Sequence, residues 1–386
     1  MRNIFSTQWK YGYKVLYLTI FVSFLIIAYY HYNIGFVMSK DYSTWTLSAD
    51  NLIKLNFNFY NYYIYSKTNS TLSVFYMMPI FFIALMKLIF VNNWQYAFIT
   101  LNIILIFFSL VIFSKSLLLL KVRPLVITLT MPLLVLSVDL LVWPRYILSD
   151  TIFSFGILLI VYFLIKNIVI EKFNYFLIFL MITLILLTRP TSIPFIVAII
   201  FFILVFNNNN YNKNLIILII FSIIVLTPFI LAICYQFMEN NLSENRKVIS
   251  LIKMVQAGMI IHDRPETWVE SPETFFDLTY LYYTRFLYFF APYVKAFSKI
   301  HIILNLLQAV VIIFSFTIWL LLEQKYNSIN KTLALILIIS VFVGAFHSFI
   351  IIDYDWRYRF PIIMPLLFVF PISIEIILRK IFNKNI

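Results

Sequence analysis

Cysteine, histidine, glycine and acidic residues are all scarce in this chain of 386 residues. It contains one cysteine, four histidines, five glycines and 16 aspartates and glutamates. The single cysteine, Cys234, rules out an intramolecular disulfide, and so few histidines disfavour a zinc site. With five glycines there is no glycine-rich phosphate loop. The sequence therefore lacks the signatures of disulfide-rich, zinc-dependent and nucleotide-binding proteins.

Hydrophobic residues are abundant instead. They make up 63% of the chain, charged residues only 12%, and the mean hydropathy is +0.94. Such a composition is far too apolar for an ordinary soluble protein. The apolar runs are about 20 residues long, as membrane-crossing helices are, and they lack the alternation of an outer-membrane barrel. We therefore predict an all-α, polytopic integral-membrane bundle that forms a single domain over residues 1–386.

The apolar sequence divides into segments whose basic flanks set the topology. Basic residues before the first segment and after the last place both chain ends in the cytoplasm, so the number of crossings is even. Segment 72–91 carries Pro79 and Lys87 and is predicted to lie in the membrane interface, which leaves about ten spans. The eleven segments are 15–37, 72–91, 96–118, 124–142, 147–166, 173–189, 192–206, 214–238, 301–322, 332–352 and 361–378.

This topology describes a multi-pass protein of the plasma (inner) membrane, surrounded by membrane lipids. Two long loops, 38–95 and 239–300, fall on the extracytoplasmic side, and loops of that length in a compact bundle tend to be functional. The net charge of +13 arises mainly from cytoplasmic loops and helix ends, so it does not indicate a nucleic-acid partner. We expect the chemistry on the extracytoplasmic face.

Asp41 opens the first outer loop, in KDYSTWTLSADNLIKLNFNF. Residues 41–55 are predicted to form a helix with Asp41, Trp45 and Leu52 on one face. Asp50 would lie about 180° away from Asp41, so the two acids would not pair. A carboxylate roofed by apolar groups at the membrane rim could act as a general base or hold a divalent cation, Mg²⁺ or Mn²⁺. The alternative is a solvated acid that caps the helix.

Two further charges stand inside apolar sequence. Asp150, in WPRYILSDTIF, lies one turn into a span, where a charge needs a partner, and Arg145 is the natural one. Their pairing could be purely structural. Arg189, in LLTRPTSIPF, ends a span at the outer surface, where Pro190 keeps it out of a helix. Arg189 could bind a phosphate or extend its charge toward the interface.

The second outer loop contains one histidine, His262, in IHDRPETW. Its His-x-x-x-Glu spacing resembles part of a metal site. A loop histidine hydrogen-bonded to the backbone is the simpler interpretation, because the partner histidines of a zinc site are missing.

The stretch DYDWRYRFP precedes the last apolar run. Its alternation of charged and aromatic residues predicts an extended segment. Pro361 is placed to open the last helix, so two arginines would lie beside a helix amino terminus and could cradle a phosphate. The alternative is an interfacial anchor with internal ion pairs. The charged edge comprises Asp353, Asp355, Arg357 and Arg359.

Taken together, these stretches resemble the GT-C superfamily of glycosyltransferases, and within it the protein mannosyltransferase and lipid A aminoarabinose transferase family. The first loop is similar to the family pattern D-x-x-x-Y-x-x-x-A-x-N-L, which begins here at Asp41, with Trp45 in place of tyrosine. FYMMPIFFIAL is similar to the family's juxtamembrane helix, and LSDTIFSF, LLTRPTSIPF and DWRYRFPIIMP resemble three further landmarks. The motifs span nearly the whole chain in the family's order. The basic-Pro-Pro signature before the juxtamembrane helix is absent.

The resemblance implies an inverting membrane glycosyltransferase that moves a sugar from a polyprenyl-phosphate donor to a glycan, lipid or cell-envelope polymer. It implies that Asp41 is the catalytic carboxylate. Because the basic-Pro-Pro signature is absent, Arg189, Arg357 and Arg359 are the candidates for holding the donor phosphate. No cofactor is implied beyond the divalent cation considered above. Residues expected to support catalysis, metal binding or acceptor positioning are Asp150, Arg145, Lys54, His262, Asp353 and Asp355.

Two other functions are open at this point. A polysaccharide polymerase of the O-antigen or capsule type is also polytopic and has an arginine-containing outer loop, but it uses pyrophosphate-linked oligosaccharides. A transporter or flippase of lipid-linked glycans is the second alternative. Transporters tend to show repeated halves and helices broken at the midplane, whereas the charges here cluster at one face.

Overall fold

The computed structural model describes residues 2–69, 71–172, 174–206, 213–242, 246–262, 264–293, 297–322, 327–351 and 357–382. Over these residues the fold is helical, and an isolated bridge between Val37 and Tyr146 is its only β contact. The prediction of an all-α chain is confirmed. The chain divides into two compact units. Unit 1 comprises Met1–Ile193, Phe297–Thr332 and Phe360–Ile386, and unit 2 comprises Pro194–Ala296 and Leu333–Arg359.

The helices vary widely in length, and several are joined by single turns of 3₁₀ helix. In chain order they are α1 (Arg2–Ile34), α2 (Tyr42–Lys54), α3 (Phe59–Thr68), α4 (Met77–Phe90), α5 (Trp94–Leu119), α6 (Pro124–Thr128), α7 (Met131–Val135), α8 (Val138–Val142), α9 (Asp150–Ile170), α10 (Tyr175–Leu186), α11 (Ile193–Phe206), α12 (Lys213–Asn241), α13 (Arg246–Gln256), α14 (Phe275–Phe289), α15 (Lys299–Leu321), α16 (Asn327–Ile350), α17 (Phe360–Leu367) and α18 (Val369–Phe382).

The long apolar helices make the chain a polytopic helical membrane protein. Within the described residues, seven stretches are long and apolar enough to cross a membrane, or eight if a bent pair of helices counts as one span. The predicted segments 173–189 and 192–206 correspond to the helices Tyr175–Leu186 and Pro190–Phe206. Both are shorter than the roughly 20 residues of a straight crossing. The seven stretches are Tyr11–Ile34, Val74–Leu119, Asp150–Ile170, Phe221–Asn241, Lys299–Leu321, Asn327–Ile350 and Arg357–Ile381.

The predicted span 124–142 is broken into α6, α7 and α8. Pro132 stands in the first turn of α7, and Ser137 is extended before α8. Proline lacks a backbone N–H and interrupts a helix, which separates α6 from α7. The 61° bend lies further along the chain, between Val135 and Val138. Backbone groups freed by such a break cannot face lipid. The long helix α1 covers them by packing against all three short helices.

The segment predicted to be the first outer loop folds into helices that share an apolar core with α5 and the stretch before α9. The predicted helix over residues 41–55 is confirmed as α2, which packs against α4. The Tyr62 side chain of α3 is buried, and its hydroxyl donates to the Leu72 carbonyl at 2.9 Å. The α2, α4 and α5 residues of this core include Trp45, Ala49, Leu52, Ile80, Ile83, Ala84 and Phe98, and the stretch before α9 adds Ile147 and Leu148.

A charged cluster, the Glu375 clamp, holds α18 against the start of α6. The Glu375 side chain is 3% exposed, and its carboxylate accepts from the backbone N–H of Arg123 at 3.1 Å and from its Nε at 3.0 Å. The Nε of Arg379, one turn further along α18, donates to the same carboxylate at 3.0 Å. The carboxylate thus satisfies donors from two places in unit 1.

Unit 2 contains a tight turn after α13 that requires glycine. Gly258 has φ +67°, and a Cβ there would lie 2.1 Å from the Val269 carbonyl oxygen. The N–H of Val269 donates to the Gly258 carbonyl at 3.0 Å, so the two backbones are held in contact. Helix α14 follows and begins with a capping box between Thr274 and Asp277.

Candidate functional site

Asp41 stands at the beginning of α2. Its backbone carbonyl accepts from the Trp45 N–H at 3.1 Å, but its side chain forms no capping hydrogen bond. The carboxylate is exposed, whereas Trp45, Ala49 and Leu52 are buried in the core below it. Of the two interpretations left open for Asp41, the exposed carboxylate fits a solvated acid, since the apolar face of α2 turns into the protein. Asp41 is accessible to a ligand at the surface of unit 1.

The other charged residues of α2 have different environments. Asp50 forms an ion pair with Lys87 of α4, as its position on the opposite face from Asp41 allows. The Lys87 Nζ also lies 5.2 Å from the ring centre of Trp94. Lys54, the last residue of α2, is exposed. No group of three or more His, Cys, Asp or Glu side chains that could hold a metal occurs in the described part of the chain.

Asp150 forms a buried ion pair with Arg189, and the prediction of Arg145 as its partner was wrong. Their side chains are only 2% and 4% exposed. Arg189 has extended backbone angles, φ −167° and ψ 139°, which suit a residue before Pro190. Asp150 is the first residue of α9, so its carboxylate also lies at the positive end of the helix dipole. Arg189 is thus held inside unit 1.

Arg145 lies in a turn between α8 and α9. Its carbonyl accepts from the N–H of Val37 at 3.0 Å, which joins it to the segment that leads to Asp41. The Arg145 Nε is buried and has no hydrogen-bond partner within the described residues. His31 is fully buried close by, with its Nε2 3.2 Å from the Leu140 carbonyl, and it lies within electrostatic reach of Arg145. An unsatisfied buried donor raises the free energy of the folded state, so the Arg145 guanidinium is suited to donate to an anion.

Four of the stretches singled out in the sequence pack together in unit 1. Trp45 of α2 packs edge-on against Tyr76, the second residue of the FYMMPIFFIAL stretch, with ring centres 5.3 Å apart. Leu148, from LSDTIFSF, belongs to the same buried core. The Met78 N–H donates to the carbonyl of Leu187, in LLTRPTSIPF, at 2.9 Å. The exposed Asp41 and the buried Asp150 pair therefore border one contiguous structure.

The DYDWRYRFP stretch is described only from Arg357 onward, and Asp353 and Asp355 lie outside the described residues. Arg357–Arg359 forms a 3₁₀ turn, so the predicted extended segment does not continue through it. The Nη1 of Arg359 donates to the Ala291 carbonyl at 2.5 Å within unit 2, and Arg359 is 8% exposed. The side chain of Arg357 is half-buried.

Two other predictions concern the surroundings of this stretch and the second outer loop. Pro361 stands in the first turn of α17, as predicted. His262 is exposed in the second outer loop.

Arg285 of α14 was not singled out by the sequence analysis, yet it is completely buried. Its Nε donates to the Met259 carbonyl at 2.8 Å and its Nη1 to the Ser348 carbonyl at 3.3 Å. Burial lowers the pKa of Arg285 to about 10, and burial raises the pKa of the neighbouring Tyr282. The only sequence signal was a lone arginine within the aromatic run LTYLYYTRFLYFF.

The fold thus defines a polytopic helical membrane protein whose unit 1 contains an exposed carboxylate, Asp41, and a buried arginine, Arg189. No protein-family model, curated protein sequence or solved structure matches the chain. The functional interpretation therefore depends on the motifs and on how they pack.

Proposed function

We propose that the chain is a membrane glycosyltransferase that transfers a sugar from a polyprenyl-phosphate donor to an extracytoplasmic acceptor. The packing of four motif-like stretches in unit 1 is the observation that carries this proposal. Each stretch alone is a weak signal. A contiguous cluster with an accessible carboxylate and arginines at its border is an arrangement that an active site requires.

The proposal includes a GT-C-like bundle with both chain ends in the cytoplasm. The proposed ten crossings would be formed by the seven long apolar stretches, the bent pair and the two short apolar helices. A short hydrophobic helix can be accommodated by local thinning of the bilayer. In this arrangement α5 is the crossing helix and α4 lies in the membrane interface, so the first outer loop remains outside.

Asp41 is proposed as the general base. It takes the proton of the acceptor hydroxyl while that oxygen attacks the anomeric carbon of the donor sugar. A new glycosidic C–O bond forms, the bond between the anomeric carbon and the phosphate oxygen breaks, and the polyprenyl phosphate leaves with the bonding electrons. Attack from the face opposite the leaving group inverts the configuration.

Arg145 is proposed as the phosphate contact of unit 1. Arg189 already neutralises Asp150, which makes it a positioning residue for the start of α9. The backbone carbonyl of Arg145 accepts a hydrogen bond from the Val37 N–H. Four residues of extended chain span at most about 14 Å, which limits the distance between Val37 and Asp41. A guanidinium hydrogen-bonded to the leaving phosphate stabilises the charge that develops there. The role of Arg357 and Arg359 in holding the donor phosphate stays a prediction from the sequence.

The test uses purified protein and short-chain polyprenyl-monophosphate sugars. Transfer, or slow hydrolysis of the donor, is measured by mass spectrometry. Asp41→Asn is expected to lower the rate by about 10²–10⁴, because general-base catalysis is lost. Arg145→Met is expected to lower kcat by about 10²–10³, as removal of a charge-stabilising donor does elsewhere.

Asp50→Asn is the matched control, since Asp50 lies on the same helix but pairs with Lys87. Its activity should equal that of the unmodified protein. Near-normal activity of Asp41→Asn would remove Asp41 from the mechanism. Turnover of a pyrophosphate-linked oligosaccharide, with no turnover of any monophosphate donor, would identify a polymerase instead.

A further inference from the structure

A cavity of about 580 Å³ lies in unit 1 where α9 ends and α10 begins. Helix α9 has 21 residues and starts at Asp150, so the cavity is roughly 30 Å from the Asp150–Arg189 pair. It is therefore separate from the candidate catalytic site. By the positive-inside prediction, this end of α9 faces the cytoplasm.

The polar side of the cavity is rich in hydrogen-bond donors. Asn167 is only 8% exposed and lines the cavity, and its Nδ2 has no hydrogen-bond partner among the residues that the structure describes. A buried amide donor in this state is costly unless a ligand or water accepts from it. Lys166 and Lys172 also line the cavity, and both are exposed.

The amino terminus of α10 lines the same cavity. Asn174 caps this 12-residue helix by accepting from the Leu177 N–H at 3.1 Å. The positive end of a helix dipole favours an anion. Glu171 is not among the lining residues and interacts electrostatically with Lys331 instead. The cavity thus presents two ammonium groups, a buried amide donor and a helix amino terminus, and none of the described residues that line it is a carboxylate.

The other side of the cavity is apolar and open to the surroundings. Ile170, Tyr175 and Phe176 line it, and their side chains are 56%, 56% and 77% exposed. A ligand that satisfies both sides carries a negative charge next to a hydrocarbon chain. Basic pockets between helices on the cytoplasmic side of membrane proteins bind such head groups.

We propose that this cavity binds the phosphate head group of an anionic phospholipid, with its acyl chains against the aromatic rim. Lys166 and Lys172 neutralise the phosphate, and the Asn167 amide donates to one of its oxygens. This site does not depend on the proposed glycosyltransferase activity, because it lies at the other end of α9.

The experiment measures lipid binding to the full-length protein in detergent by native mass spectrometry. Phosphatidylglycerol and phosphatidylcholine with identical acyl chains are compared, and inorganic phosphate is added as a competitor. We expect saturable binding of phosphatidylglycerol that phosphatidylcholine does not match. The Lys166→Gln/Lys172→Gln double variant should bind phosphatidylglycerol about tenfold to thirtyfold more weakly, at about 1 kcal/mol per lysine.

Lys115→Gln provides the matched control, because Lys115 is an exposed lysine of α5 that does not line the cavity. It should bind phosphatidylglycerol normally. Asn167→Asp, which is nearly isosteric, should weaken binding by placing a carboxylate against the phosphate. Equal binding of the two lipids, or unchanged binding by the double variant, would overturn the proposal. Displacement of the lipid by millimolar inorganic phosphate would identify a site for a soluble anion instead.

Discussion

Arg189 in unit 1 and Arg285 in unit 2 are both buried guanidinium groups, but their charges are balanced in different ways. Arg189 is paired with a buried carboxylate, Asp150. Arg285 is held by the carbonyl oxygens of Met259 and Ser348, and no carboxylate contacts it in the described part of the chain. In the pair, a single carboxylate, that of Asp150, neutralises the charge of Arg189. The charge of Arg285 is stabilised by two backbone carbonyl groups, which accept hydrogen bonds but carry no charge. A net positive charge therefore remains inside the protein.

The largest effect is expected from Asp150→Ala. This change leaves Arg189 buried without its carboxylate, and breaking a buried pair in this way costs about 3–5 kcal/mol. The free energy of unfolding can be measured by titration with SDS in mixed micelles.

A double variant sharpens the result. Asp150→Leu combined with Arg189→Met should recover most of the loss, because apolar residues of similar volume often replace a buried pair at little cost. If Asp150→Ala costs less than about 1 kcal/mol, the pair does not stabilise unit 1 as described here.

A smaller effect is expected from Arg285→Met. The carbonyls of Met259 and Ser348 would lose their donors, and an unsatisfied buried group costs about 1–3 kcal/mol. The loss is partly offset because a buried charge is removed with the guanidinium. The same SDS titration measures it, and a variant more stable than the unmodified protein would show that desolvation of Arg285 outweighs its hydrogen bonds.

The smallest effect is expected from Asp50→Asn. The side chains of Lys87 and Asp50 are 17% and 41% exposed, so their ion pair is partly screened by solvent. Such pairs contribute about 0–1 kcal/mol. The difference from the unmodified protein should shrink further in 1 M salt, where charges are screened over about 3 Å. A loss as large as that of Asp150→Ala would contradict the distinction between buried and exposed pairs.

Local features of the fold could be predicted from the sequence. The helix after Asp41 follows from the spacing of Trp45, Ala49 and Leu52, which places apolar side chains on one face. Pro361 begins its helix because the first helical turn tolerates a missing N–H. These predictions depend on neighbours in sequence, so the folded structure reproduces them.

Contacts between residues that are distant in sequence could not be predicted in the same way. Arg145 is adjacent to Asp150 in sequence, but Asp150 lies at the start of α9, where the extended Arg189 reaches it from another segment. The break at Pro132 was missed because the prediction relied on continuous hydrophobicity rather than on the proline. The burial of Arg285 depends on carbonyls that no sequence pattern identifies.

For the candidate site, sequence reasoning singled out Asp41 but left open whether its carboxylate is solvated or covered by apolar groups. Its exposure depends on which way the apolar face of α2 turns, and that is set by the packing of α2 on α4. The buried, unpartnered Nε of Arg145 likewise depends on Asp150 pairing elsewhere. In each case the environment of the residue depends on tertiary contacts, which the sequence alone does not give.

The Glu375 clamp has a consequence for biosynthesis. Glu375 and Arg123 are 252 positions apart, so the ribosome makes the acidic member long after the basic one has been inserted into the bilayer. During synthesis the start of α6 therefore lacks its contact with Glu375 until α18 has been translated. A chain truncated before Glu375 would insert most of its helices but could not form the contact that joins α18 to the start of α6. Such a chain would be exposed to membrane proteases.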